Sequence, residues 1–226
     1  MAIVGTEEMC WGDCGLMLAI PGNGLGNFAI TAMATPEQFE RFGEKFAAMA
    51  ITEPGSGSDS GSISTTAVLD GDEWVLNGRK WMITNASRAD FIIFMVVTEP
   101  EANVYQRCSM IIVEKGTPGM DIFRDIPTMH HPHSEYGAIG NHAEIILDNV
   151  RVPKDNLIGQ RGGGFILSQV RLGPGRIHHA TRWLGEAERA FDMFGVELGS
   201  EQPVAGLERD HPDRHIGQRV AEEGGQ

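Results

Sequence analysis

Apolar and polar positions divide the chain into three zones. The first, about residues 1–45, reads as helical. An apolar-rich stretch covers 9–20, and a second follows Pro21 over 22–34. Thr35-Pro36-Glu37-Gln38 has the form of a helix start: Thr35 as N-cap, Pro36 at the first helical position, Gln38 three residues after the cap. Phe39, Phe42 and Phe46 recur at spacings of three and four, which predicts one aromatic helix face packed on a core.

The second zone, about 47–155, reads as β-rich. Residues 73–76 and 79–84 flank Asn77-Gly78, whose tolerance of positive φ predicts a hairpin turn there. Residues 91–98, 109–113 and 144–147 are further strand candidates, separated by Gly, Pro, Asn and Asp clusters as in a sandwich or small barrel. The third zone returns to helix from Arg176, where Ile177, Ala180, Leu184, Ala187, Phe191 and Phe194 keep helical spacing until Gly195. Beyond it, Pro203, Pro212 and scattered charges show no sustained period.

Composition narrows the class of protein. The longest purely apolar run, 91–97, is far shorter than the roughly 20 residues of a membrane-spanning helix. The first residues carry no basic and apolar leader pattern. A formal charge of −13 argues against nucleic acid as partner, although a pocket within an acidic protein can still be positive. The three cysteines, Cys10, Cys14 and Cys108, make no disulfide framework and suit a reducing cytoplasm. Cys10 and Cys14 share a helix face; packing explains them more simply than a metal or redox pair, since no companion ligand completes a site.

The densest chemical signal runs from Ala50 to Asp59, Ala-Ile-Thr-Glu-Pro-Gly-Ser-Gly-Ser-Asp. Gly55 and Gly57 let backbone approach a ligand, and Thr52, Ser56 and Ser58 offer hydroxyls. Such a loop can present amides to a pyrophosphate, and it can equally be a plain connection. Residues 77–85, Asn-Gly-Arg-Lys-Trp-Met-Ile-Thr-Asn, could form a wall for a flat ring system, with Thr84 as hydrogen-bond partner, or could be ordinary hairpin packing.

Together these segments resemble the acyl-CoA dehydrogenase family. Its T-E-P-x-x-G-S-D loop stands here as residues 52–59, and its N-G-x-K and W-I-T-N pair falls within 77–85. Its D-N-V-R-V-P strand is residues 148–153, followed by Gly162-Gly163-Gly164-Phe165. The resemblance covers about residues 8–194. It implies an α+β fold: a helical N-terminal remnant (1–46), a β-barrel middle domain facing flavin and acyl-CoA (47–157), and the first helix of a C-terminal helical bundle (158–195), with an atypical tail (196–226).

The resemblance also implies the function: oxidation of an acyl-CoA to its 2-enoyl-CoA, with FAD as hydride acceptor and an electron-transfer flavoprotein as electron partner. Complete relatives are homo-oligomers. Met49, Ile51, Thr52, Gly57, Ser58, Met82, Ile83 and Thr84 would face the flavin. Thr52 would bond near the pyrimidine side, Gly57 and Ser58 would meet the pyrophosphate, and Thr84 would bond the N5 region. Ser58 and Arg176 would face the acyl-CoA. Met82 occupies the slot where the family usually has Trp, with Trp81 before it. The Gly-Pro-Gly-Arg-Ile-His-His run at 173–179 resembles one subgroup.

Two family features are not matched. The base in most members lies downstream, or just before the Arg equivalent to Arg176, where this chain has Gly175. The Arg-x-x-Phe-Gly continuation after Phe194-Gly195 is replaced by Val-Glu-Leu-Gly. These differences predict a relative truncated at both ends. Its alternatives are a chain that only binds flavin or CoA or pairs with another subunit, an oxidase of the same fold, or a fragment without a stable fold. His130, His131 and His133 read as a variable loop rather than a metal site, and His178 and His179 as surface or CoA-side residues.

Overall fold

The computed structural model describes residues 2–19, 25–129, 132–133, 136–138 and 140–197. Two compact units are present, one from α1 (Ala2–Ala19) up to Leu18 and the part of α4 (Gly164–Glu197) beyond His179, the other spanning residues 19–179. In the smaller unit α1 is broken at Asp13, whose backbone is extended, and Asp13 Oδ1 accepts from Leu16 N at 2.8 Å, restarting the helix. Gly185 lets the two helices meet: a Cβ there would lie 2.2 Å from Glu7 O. Trp11 Nε1 donates to Asp192 at 2.9 Å. Burial, then Glu186 and Cys10, push the Cys14 thiol up to about 12, so it stays neutral, as a packing role requires.

The larger unit is built on one sheet. Its strands are β1 (Ala47–Ala50), β2 (Thr66–Asp70), β3 (Glu73–Thr84), β4 (Phe91–Val97), β5 (Cys108–Glu114), β6 (Met120–Ile126), β7 (His142–Pro153) and β8 (Leu157–Ile158). They run in the order β6-β7-β3-β2-β4-β5-β8, with β1 parallel to β4. Alternate residues of β4 enter two cores. Ile92, Phe94 and Val96 join one, and Phe91, Ile93, Met95 and Val97 the other. That two-sided burial explains why this strand reads as an unbroken apolar run. Met120 and Ile122 of β6 and Leu157 of β8, from opposite ends of the path, pack on the first core. The sheet therefore curls around it as a barrel does. The second core is covered by α2 (Asn27–Met33), α3 (Pro36–Phe42) and Leu167 of α4. The α+β expectation is met.

Several local expectations are corrected. The Asn77-Gly78 hairpin does not form, because β3 runs straight through both residues. The turn lies instead at Gly71-Asp72, where Asp70 pairs with Glu73 and Gly71 has φ +62°. Gly78 has φ +147° at a register shift, and a Cβ there would lie 2.6 Å from Thr65 Oγ1. Its glycine permits a bulge and a close approach rather than a reversal.

The Thr35 cap is as predicted, a complete capping box with Gln38. The aromatic stripe divides, however. The helix ends at Phe42, which is buried in the second core, while Phe46 lies beyond the helix against the first and Phe39 is exposed. Helix α4 begins at Gly164, twelve positions before Arg176, and passes through Pro174. Leu167 is buried and Gly164 fits against the backbone of residues 108–109, so the turns before Arg176 pack on the larger unit. No helix among the described residues is long and apolar enough to cross a membrane. The atypical tail, except for the end of α4, lies outside the described residues, as do His130 and His131.

Candidate active site

The loop after β1 is closed by its own hydrogen bonds. Glu53 and Ser56 exchange backbone bonds of 2.9 and 3.1 Å around Pro54-Gly55. The Ser56 hydroxyl, a candidate donor from the sequence, is buried and bonds Asp59 O, so it does not face a ligand. Each of the next anchors fixes this loop to β3. Lys80 Nζ donates to Ile51 O and to Glu53 Oε1, both at 2.9 Å, and Trp81 N donates to Thr52 O at 2.9 Å. Glu53 also accepts from Ser64 N and Oγ at 2.7 Å and from Thr65 N at 2.9 Å.

Both charges of this pair are buried. Burial pushes the Glu53 carboxyl up, but the Lys80 charge and the bonds from Thr65, Lys80 and Ser64 outweigh it and hold the group down at about 2. Burial lowers the Lys80 ammonium to about 8 against the opposing pull of Glu53. The pair therefore stays ionised at neutral pH. Sequence reasoning did not find it, because the partners lie 27 positions apart with nothing local to mark them.

Beyond Trp81 the β3–β7 register slips between Lys80 and Ile83, and Met82 takes φ +58°. A left-handed methionine costs roughly 1–2 kcal/mol, and such strain gathers at functional sites. Trp81 is left beside the guanidinium groups of Arg79 and Arg124, at 6.0 and 5.7 Å from its ring centroid. Both arginines also pair with buried Glu144. There burial raises the carboxyl and the two arginines bring it down.

A cavity of about 610 Å³ opens where these segments meet, within the size range of small-molecule sites. All the site residues read from the sequence line it. Met49, Ile51 and Thr52 come from the end of β1 and beyond, Gly57 and Ser58 from the loop, Met82, Ile83 and Thr84 from β3, and Arg176 from α4. The sequence did not single out Tyr105, Gln169, Arg171 or Leu172, which also line it, or Phe165 as a lining residue. Tyr105 and Phe165 meet edge to face at 5.1 Å. Arg176 gives an NH to Gln169 Oε1 at 3.0 Å. His142, also missed, holds the Thr84 hydroxyl at 3.0 Å from its Nδ1 across 58 positions of sequence.

The lining suits a flat, polar-edged ring carrying an anionic tail: methionine and isoleucine surfaces, five hydroxyls and two guanidinium groups. Gly57 adds a specific sign. A Cβ there would meet no protein atom within 4 Å, so nothing in the protein itself calls for glycine at that lining position. Among the described residues no cluster of His, Cys, Asp and Glu could hold a metal. His178 and His179 form a ring pair, with centroids 6.4 Å apart.

Comparison with known proteins gives one consistent result. Residues 48–150 match the family model "Acyl-CoA dehydrogenase, middle domain". The chain is 44% identical over 150 residues to a probable acyl-CoA dehydrogenase, FadE2, of Mycobacterium tuberculosis, covering 65% of this chain and 36% of that protein. It is 38% identical over 195 residues to the acryloyl-CoA reductase (NADH) of Anaerotignum propionicum, covering 80% and 47%. The solved butyryl-CoA dehydrogenase from Megasphaera elsdenii superposes with a TM-score of 0.72 at 28% identity, over 98% of this chain and 58% of that one. The chain thus spans less than half the length of these two curated relatives.

Proposed function

The chain belongs to the acyl-CoA dehydrogenase family, and from that premise we propose that its cavity is the flavin- and thioester-facing wall of a site for α,β-dehydrogenation of an acyl-CoA. The observation that carries this reading is the convergence of nine positions from separate stretches, residues 49–58, 82–84 and 176, on one cavity. Bound there, FAD would supply the acceptor for the hydride leaving the acyl β-carbon, and the α-proton would pass to a carboxylate base that none of these site residues supplies. The Thr84 hydroxyl, oriented by His142, would hold the reacting edge of the ring. Thr52 would bond its pyrimidine side, with Gly57 and Ser58 at the pyrophosphate. Met82 takes the wall position through the bulge that turns Trp81 toward the arginines. Ser58 and Arg176 would meet the thioester ligand.

Rigidity is the protein's further contribution. Backbone carbonyls of Ile51 and Thr52 are tied to β3 and the backbone of Glu53 to Ser56, so the polar groups around Thr52 are set before any ligand arrives. Asp59 also lines the cavity, but its Oδ2 takes the Ser62 hydroxyl, and we give it no proton-transfer role. In the whole protein, electrons would pass to an electron-transfer flavoprotein.

The test is an absorbance spectrum of the purified chain with added FAD, followed by anaerobic addition of an acyl-CoA. A retained flavin spectrum that bleaches supports the full reading. Retention without bleaching reduces the chain to a flavin- and CoA-binding one. Failure to retain FAD refutes the cofactor assignment.

A further inference from the structure

The buried acidic and basic side chains of the larger unit have partners: Asp125 accepts from Ser87 Oγ at 3.1 Å, Gly137 N at 2.8 Å and Asn141 Nδ2 at 3.3 Å. Glu53 and Lys80 face each other at 2.9 Å, and Glu144 takes Arg79 and, at 2.9 Å, Arg124. Arg171 differs. It stands on α4 in the cavity wall, half-buried, and no described residue pairs with its guanidinium. Burial alone lowers its pKa, with no neighbouring charge acting on it. A half-buried guanidinium without a partner keeps hydrogen-bonding capacity open, and its planar fork matches phosphate geometry. The neighbouring Arg176 bonds a neutral amide, that of Gln169, so its charge is also uncancelled there. Among the lining residues Asp59 is the acid. The wall thus carries two cations against one anion in a chain of net charge −13, a local reversal that concentrates an anionic ligand.

We infer that Arg171 is an anion-anchoring residue of this cavity that holds a phosphate group of the ligand bound beside Tyr105, Phe165 and Leu172. The inference rests on the function proposed above, in which FAD and the acyl-CoA both carry phosphates. The chemistry of the contact is the same for either source. It would complete the hydrogen-bonding capacity that the fold leaves open on this side chain.

The experiment titrates the full chain and its Arg171→Ala and Arg171→Lys forms with FAD and, separately, with CoA, followed by tryptophan fluorescence. Riboflavin and pantetheine serve as the phosphate-free counterparts, and inorganic pyrophosphate as competitor. Arg171→Ala should weaken either FAD or CoA by about 10- to 100-fold, the loss of one charge-assisted contact. The ligand that weakens identifies the source of the phosphate. Riboflavin and pantetheine should bind as before, Arg171→Lys should recover part of the loss, and pyrophosphate should compete far less well against the Ala form. Two results overturn the inference while leaving the proposed function standing. One is wild-type binding of FAD and CoA that Arg171→Ala matches within about twofold. The other is an equal loss for the phosphate-free counterparts, which marks a structural role. A wild-type chain that binds neither FAD nor CoA overturns the proposed function and this inference together.

Discussion

Removing the Lys80 ammonium tests whether the buried pair holds the ligand loop in place. In Lys80→Met the Glu53 carboxylate keeps three donors, Ser64 N, Ser64 Oγ and Thr65 N, but loses its counter-charge in a site closed to water. Ile51 O loses its donor as well. Two charge-assisted bonds of roughly 1.5–3 kcal/mol each disappear. Breaking one side of a buried ion pair costs about 3–5 kcal/mol, the same range by a separate route. For a chain of this size about 4 kcal/mol lowers the melting temperature by roughly 8–16 °C. The assay is thermal unfolding by circular dichroism of wild type, Lys80→Met, Glu53→Gln and the double variant. The double variant should cost clearly less than the sum of the two singles, since neither charge is left alone in the core. A Lys80→Met melting point within about 2 °C of wild type, or strictly additive singles, would sink the argument that this pair anchors the loop.

Other expectations follow from the same geometry. The Glu53 carboxyl lies at about 2 in the fold against 4.5 when free, so its stabilisation is fully present above pH 4.5 and is lost as pH falls toward 2. That is roughly 3 kcal/mol of acid sensitivity, and an acid titration of unfolding free energy should show the slope in wild type but much less of it in Glu53→Gln. Gly78→Ala places a Cβ 2.6 Å from Thr65 Oγ1 at φ +147°, and should destabilise by about 2 kcal/mol or more in urea unfolding. Met82→Gly, by contrast, relieves a left-handed residue and should leave stability unchanged or raise it by up to about 1 kcal/mol, while weakening FAD retention. A marked fall in the Met82→Gly melting point would show that the side chain serves packing more than the cavity.

What was legible in the sequence was local. Thr35 to Gln38 cap a helix through atoms three positions apart, and the unbroken apolar run of β4 states its burial on both faces. By residue type alone the motifs at 52–59 and 77–85 left a ligand wall and plain packing both open, and only their resemblance to a family pattern singled them out. The path of the chain was decided elsewhere. Asn77-Gly78 has every local mark of a turn, yet the reversal fell at Gly71-Asp72, which lets β3 continue into its long pairing with β7. The apolar period reads as helix only from Arg176, yet α4 begins at Gly164, where Leu167 is buried in the second core. The loop anchor and the Thr84–His142 contact join residues 27 and 58 positions apart. Short-range preferences are worth about 1 kcal/mol each. Strand register and core closure combine many contacts of comparable size, so where the two disagree the tertiary structure decides.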